Sequence, residues 1–247
     1  NYMLAKFADA LALSWPNTKN LPADIAHELT GIPVRQAFFD AAETPYRLDS
    51  TTTVNLTILG GSQGASILGS LVPDAIAMLE EPLRQRLHIH QQARPEQIDL
   101  LQKRYADLGV TAQLRPFFSD VPQLLGNSHL VICRSGASSV AELAAIGRPA
   151  LLLPLPNAMD DHQRVNALQM QDVGGGICLD ETSVSAAALA TRLIQLFDAP
   201  KTLSQMAKSA RSLASPDAAK LIAALAENLV GLSTSKPTGP KPTGASA

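Results

Sequence analysis

Aromatic residues, cysteines, long apolar runs and an excess of either charge are all scarce in this chain. Phe, Trp and Tyr make up 4% of its 247 residues although 46% are apolar. That apolar content still suffices for a sizeable core, in one domain of about 150 to 200 residues plus flanking segments. A formal net charge of -2 and a pI near 6.2 lack the basic footprint of phosphate-backbone binding, so nucleic acid is not an expected partner. The two cysteines, Cys133 and Cys178, sit in apolar strand-like runs. They read as buried thiols in a reducing compartment rather than a disulfide or metal framework, with the cytoplasm as default location. No stretch approaches the roughly 18 to 20 uninterrupted apolar residues of a membrane span and no signal peptide opens the chain, so membrane association is expected to be peripheral.

Two nucleotide-binding signatures are also missing. Gly60-Gly61-Ser62-Gln63-Gly64-Ala65 has no Gly-Lys-Ser/Thr of a Walker loop, and Ser62 and Ala65 occupy the wrong places for a G-x-G-x-x-G fingerprint. A dinucleotide dehydrogenase is disfavoured on that ground.

What is present is an alternation. Short β-rich runs at Val54 to Leu59, Leu87 to Gln91, Ala112 to Phe117, His129 to Cys133, Ala150 to Leu155 and Gly176 to Leu179 alternate with helical patterns. This is the rhythm of a parallel sheet with helices on both faces, an α/β Rossmann-like fold. The helical patterns from Ser183 onward, including Leu203 to Leu213 and Ala218 to Leu232, follow one another without a strand, and the last is expected to pack beyond the sheet domain. At the ends, residues 2 to 12 show an amphipathic helical pattern with no cap before it, which reads as the edge of a fragment. Residues 233–247 form a polar Pro/Gly tract expected to be disordered.

Ligands on such sheets bind at the carboxyl ends of the strands. Gly60 to Ala65, Phe117 to Asp120, Arg134 to Glu142 and Pro156 to Gln163 should therefore converge on one rim. Arg134-Ser135-Gly136-Ala137-Ser138-Ser139-Val140-Ala141-Glu142 is a Gly/Ser-rich turn opening a helix, which offers backbone N–H groups and a positive dipole end to phosphate. The loop from Gly60 to Ala65 offers the same, or is an ordinary strand-to-helix turn; Ser62 could donate to a pyrophosphate oxygen. Glu142 either caps its own helix in a Ser139-to-Glu142 capping box or accepts hydrogen bonds from ribose hydroxyls. Gln163 and Asn166, three apart on one helix face, could bond sugar hydroxyls. Asp160, Asp161 and His162 read as N-cap and first-turn residues rather than a metal site. His90, Gln91 and Gln92 either edge the crevice or end a strand in solvent. Arg35 could contact an anion or carbonyl, or be a surface arginine. Together these groups suggest a nucleotide-sugar site.

The joint pattern of Gly31-x-Pro33-Val34-Arg35, Gly60 to Ala65, Phe117-Phe118-Ser119-Asp120, Arg134 to Glu142, Gly147-x-Pro149 and Asp160-Asp161-His162-Gln163-x-x-Asn166-Ala167 resembles the MurG family of peptidoglycan N-acetylglucosaminyltransferases, in order along most of the chain. Gln91 to Glu96 is similar to the variant in alphaproteobacterial members, and Ile32 departs from the family's usual Asn.

The resemblance implies the C-terminal, UDP-GlcNAc-binding half of a two-domain GT-B glycosyltransferase. By position, Ser62 would contact the diphosphate and the Phe118 backbone would read the uracil edge. Ala137, Ser138, Ser139, Val140, Ala141 and Glu142 would wrap the nucleotide sugar, with Glu142 on the ribose. Gln163, with Asn166 beside it, would bond the GlcNAc hydroxyls. Arg35 would lie near the sugar or its acetyl group, and Arg134 would line the site. The implied domains are 1-35 as a remnant of the acceptor domain with its linker, 36-215 as the donor-binding domain, 216-232 as a helix returning toward the acceptor domain, and 233-247 as tail. The implied reaction transfers GlcNAc from UDP-GlcNAc to lipid I with inversion, giving lipid II, at the cytoplasmic face of the bacterial inner membrane and with no cofactor or metal. The catalytic base would lie in the acceptor domain, upstream of Asn1. These residues alone would bind donor without turnover. A UDP-GlcNAc 2-epimerase, a diacylglycerol glycosyltransferase and a non-catalytic UDP-sugar-binding module share the same donor logic and stay open.

Overall fold

The computed structural model describes residues 5, 7–49, 53–61, 66–156 and 161–231. Ser62, Asp160 and the tail 233–247 lie outside them. The chain divides into two compact units, Asn1–Gly31 with Asp217–Ala247, and Ile32–Pro216. Arg35 belongs to the larger unit.

The smaller unit holds a parallel pair of strands, β1 (Ala10–Leu13) and β2 (Ala26–Leu29). The helical pattern read from residues 2 to 12 is thus wrong for its second half. Ala10, Leu11 and Ala12 are good helix formers, but pairing with Ala26 to Glu28 supplies backbone partners that the local propensity cannot outweigh.

The larger unit is built on a six-stranded sheet comprising β3 (Val54–Leu59), β4 (Leu87–Gln92), β5 (Thr111–Arg115), β6 (Leu130–Cys133), β7 (Ala150–Leu152) and β8 (Gly176–Cys178). Every pairing is parallel and the spatial order is β5-β4-β3-β6-β7-β8. The order reverses between β3 and β6, where a doubly wound sheet opens its binding crevice. β5 ends earlier than the sequence suggests, and Pro116, which follows it, has no N–H to continue a ladder. β7 likewise stops ahead of Pro154, although the Leu153 N–H still donates to the Cys133 carbonyl at 2.9 Å.

The helices of this unit are α1 (Gln36–Ala41), α2 (Leu68–Ala77), α3 (Glu81–Gln85), α4 (Pro95–Asp107), α5 (Val121–Gly126), α6 (Ala137–Ile146), α7 (His162–Asp172), α8 (Ala186–Phe197) and α9 (Pro200–Arg211); α10 (Ala218–Leu229) belongs to the smaller unit. Alternation in β3 sends Val54, Leu56 and Ile58 into a cluster with Leu68, Val72 and Ile76 of α2 and Leu189, Leu193 and Phe197 of α8. Each such fully buried side chain contributes roughly 1.5 to 3 kcal/mol. Leu130 to Cys133 of the central strand β6 are buried without alternation, as expected where helices cover both faces. Gly175 lets α9 approach β8 closely, since a Cβ there would lie 2.6 Å from the Ala210 Cα.

Candidate functional site

A cleft of about 270 Å³ opens at the switch point. Its walls come from the end of β3 (Leu59, Gly61), the end of β4 (Gln92), the turn after β5 (Phe117, Phe118) and the passage from β6 into α6 (Cys133, Arg134, Ser139, Glu142). Three of the four loops expected on one rim therefore meet. Most of the lining is apolar, with a few polar groups at the edge, which suits a flat base with a hydroxylated, charged appendage.

Helix α6 begins three residues earlier than the Ser139-to-Glu142 capping box requires. Its N-cap is Gly136, with no side-chain cap bond. The first-turn N–H groups of Ala137, Ser138 and Ser139 thus lie outside the helical ladder, an arrangement whose dipole and donors suit an anion. Ser139 is in that first turn and Glu142 a turn further on, so the capping-box reading of the pair fails. Glu142 is half-buried on the cleft wall. Desolvation raises its carboxyl above the usual value, and the Arg35 guanidinium works against that rise. Arg35 itself is the extended N-cap residue of α1, exposed and lying over the Phe38 ring at 5.1 Å. Behind Glu142 the Cys133 thiol is pushed up to about 12, by burial first and then by the Glu142 charge. It is an inert wall atom. Cys178 is only half-buried, contrary to the expected pair of buried thiols, because its strand β8 lies at the sheet edge.

Phe118 is 9% exposed and the His90 ring meets its edge at a centroid distance of 6.5 Å, whereas Phe117 projects into solvent. Gln91 does not end its strand in solvent. It is buried, accepts from the Tyr105 hydroxyl at 2.6 Å and donates to the Leu68 carbonyl at 3.3 Å. Gln92 donates to the Pro116 carbonyl at 3.1 Å.

Arg134 lines the cleft with its charge already answered. Its guanidinium donates to the carbonyls of Leu153 at 3.1 Å and Pro154 at 3.3 Å and pairs with Glu181. Sequence reasoning missed Glu181, which lies in the turn after β8 and carries no motif. It also missed Arg148, a buried guanidinium that donates to carbonyls of Thr44, Leu125, Gly126, Ile146 and Gly147.

Gln163 and Asn166 lie on α7, as expected, but both are engaged. The Ser135 hydroxyl donates to the Gln163 carbonyl at 2.8 Å, and Leu155 N–H donates to Gln163 Oε1 at 3.0 Å. Asn166 is buried and its amide donates to the Ser135 carbonyl at 3.1 Å. Asn166 therefore braces the α6 turn and does not present that N–H to a sugar. Asp161 is the N-cap residue of α7, as its position suggested, but it stands in left-handed conformation, φ 50°, and makes no side-chain cap bond. Among the described residues no group of three His, Cys, Asp or Glu side chains is placed to hold a metal ion.

Residues 55–222 match the Glycosyltransferase family 28 C-terminal domain. The chain is 42% identical over 229 residues to the UDP-N-acetylglucosamine–N-acetylmuramyl-(pentapeptide) pyrophosphoryl-undecaprenol N-acetylglucosamine transferase of Methylorubrum extorquens, covering 91% of this chain and 62% of that protein. It is 45% identical over 224 residues to the protein of that name from Granulibacter bethesdensis, covering 90% and 58%. The crystal structure of Acinetobacter baumannii MurG superposes with a TM-score of 0.76 at 30% identity, over 92% of this chain and 62% of that one. The chain thus spans about three fifths of the length of these relatives. With its parallel sheet in doubly wound order and a family match over most of its length, the chain belongs to glycosyltransferase family 28, carries the C-terminal domain of that family, and within it is similar to MurG.

Proposed function

We propose that this chain provides the donor half of a MurG-type enzyme, which moves GlcNAc from UDP-GlcNAc to the C4 hydroxyl of the MurNAc unit of lipid I. The carrying observation is the cleft at the switch point, where the open first turn of α6 and the half-buried Glu142 face the Phe117–Phe118 turn. Residues 36–215 hold the donor. Residues 1–31 and 217–232, of the smaller unit, belong with the acceptor half, which meets lipid I at the cytoplasmic face of the inner membrane. Among the described residues no helix is long and apolar enough to cross a membrane, in keeping with peripheral attachment.

In this reading the Phe118 backbone reads the uracil edge, the ribose hydroxyls donate to Glu142, and the diphosphate takes N–H groups from Ala137 to Ser139 and a hydroxyl from Ser62. The acceptor oxygen attacks the anomeric carbon in line, its proton passes to a base, and the C1–O bond electrons leave on UDP. Positive character builds on the sugar and negative charge on the diphosphate. The fixed dipole of α6 and the nearby Arg35 favour that charge at no cost in reorganisation. No residue of this chain is assigned as the base, and the 247 residues alone bind donor with negligible turnover.

Calorimetric titration of the chain and its Glu142→Ala variant with UDP-GlcNAc, UDP-glucose, UDP and NAD tests the reading. Selective UDP-GlcNAc binding, lost in the variant, is the expected result; preferential NAD binding, or no nucleotide binding by folded protein, rejects it.

A further inference from the structure

Two hydrogen bonds join the turn that opens α6 to the start of α7, and a third ties α7 to the segment after β7. The Ser135 hydroxyl holds the Gln163 carbonyl at 2.8 Å, the Asn166 amide holds the Ser135 carbonyl at 3.1 Å, and Gln163 Oε1 holds the Leu155 N–H at 3.0 Å. Ser135 is 0% exposed and Asn166 is 6% exposed. A buried polar pair of this kind is costly to desolvate and is stable only when its partners stay in place, so it sets a distance as well as contributing energy. The distance it sets lies between the first turn of α6, assigned above to the nucleotide, and Gln163 at the front of α7, which the family resemblance implies would bond the GlcNAc hydroxyls.

We infer that Ser135 and Asn166 are positioning residues that hold α7 at the spacing a nucleotide sugar requires, and thereby determine selectivity for UDP-GlcNAc over UDP. The inference rests on the donor reading. Neither side chain need touch the ligand. Ser135 acts through the backbone of Gln163, and Asn166 acts through the backbone of Ser135. The nucleotide end also rests on Glu142 and on the Phe117–Phe118 turn, which the staple does not hold, so loosening the staple should affect it little. The sugar end, which must meet α7, should suffer most.

The full 247-residue chain is compared with its Ser135→Ala, Asn166→Leu and double variants by calorimetry, using UDP and UDP-GlcNAc as probes, with thermal melting followed alongside. Each single variant is expected to weaken UDP-GlcNAc roughly fivefold, the effect of one neutral hydrogen bond, while UDP affinity stays within about twofold. Because the bonds form one unit, the double variant should lose less than the product of the two single effects. A purely structural role would lower the melting temperature and leave the ratio of the two affinities unchanged, and that result overturns the inference. Loss of the cooperative melting transition in both single variants also overturns it, since the staple would then hold the fold rather than the spacing. If the wild type binds neither ligand, the donor reading itself falls and carries this inference with it. Normal wild-type selectivity that persists in the variants removes the inference alone.

Discussion

Arg134 and Glu181 form an ion pair behind the cleft, with side chains only 12% and 17% exposed. Arg134 also donates to the carbonyls at the end of β7, so one guanidinium ties together the mouths of β6, β7 and β8. Glu181→Ala leaves that charge with carbonyl partners alone, and a stability loss of roughly 2 to 4 kcal/mol is expected in urea unfolding. Replacing both residues with apolar ones should cost less than the two single changes added together, a difference read from a double-mutant cycle.

Arg148 gathers carbonyls from the C-terminal ends of α5 and α6 and from Thr44, and its guanidinium lies 5.6 Å from the centre of the Tyr46 ring. Arg148→Met leaves several buried acceptors unanswered and should cost on the order of 3 to 5 kcal/mol. Arg148→Lys keeps the charge but not the planar fork, and should recover only part of that loss. Chemical denaturation of the two variants decides the order.

His129 accepts the Asn55 N–H on Nδ1 at 2.8 Å, so its proton sits on Nε2, which faces the Arg47 carbonyl at 3.0 Å. Burial lowers its titration below the usual histidine value. The Arg47 hydrogen bond opposes the shift, and the nearby Arg148 adds to it. The fold therefore favours neutral imidazole. That contribution is complete above the ordinary histidine pKa of 6.5 and is lost as pH falls toward the lowered value. Unfolding free energy measured between about pH 7.5 and 5 should fall more steeply in the wild type than in His129→Gln.

Glu142 offers a second pH dependence, this one in binding. Its carboxyl is raised above the ordinary value of 4.5, and a ribose needs the charged form as acceptor. UDP affinity should fall as pH drops, with a midpoint above 4.5 that disappears in Glu142→Gln. The unliganded fold shows the opposite sign: desolvation disfavours the carboxylate, so the stability contribution is full below the ordinary value and is lost as pH rises through the raised one. Glu142→Ala should weaken UDP roughly tenfold or more, the scale of a charged hydrogen bond. Titrations across pH measure both effects.

Much of the larger unit could be read directly from the chain. Most strands in it were marked by a short β-branched or aliphatic run, and Val54, Leu56 and Ile58 show the alternation that puts them in one core cluster. The rim loops were legible because Gly, Ser and Asp after a strand are the residues that turn it and open a helix. The parallel pair at Ala10–Leu13 and Ala26–Leu29 was not legible, because the first segment continues a locally helical pattern and the two are held as strands by pairing with each other. Neither was the function of Asn166. Its position on the face of α7 shared with Gln163 was visible, but the carbonyl that takes its amide belongs to Ser135, 31 residues away.

The sequence by itself determined the α/β class, the order of strands in the larger unit, and which loops carry polar groups. These follow from local periodicity and turn chemistry, which act over a few residues. The tertiary structure alone decided which groups are spent and which face the cleft. Arg134 is neutralised from behind by Glu181, Gln91 is locked to Tyr105, and Asn166 braces Ser135, whereas Glu142 and the first turn of α6 stay on the cleft wall. A buried polar group must find its partner wherever the fold brings one. Those partners come from strands and helices distant in sequence, so no local pattern encodes them.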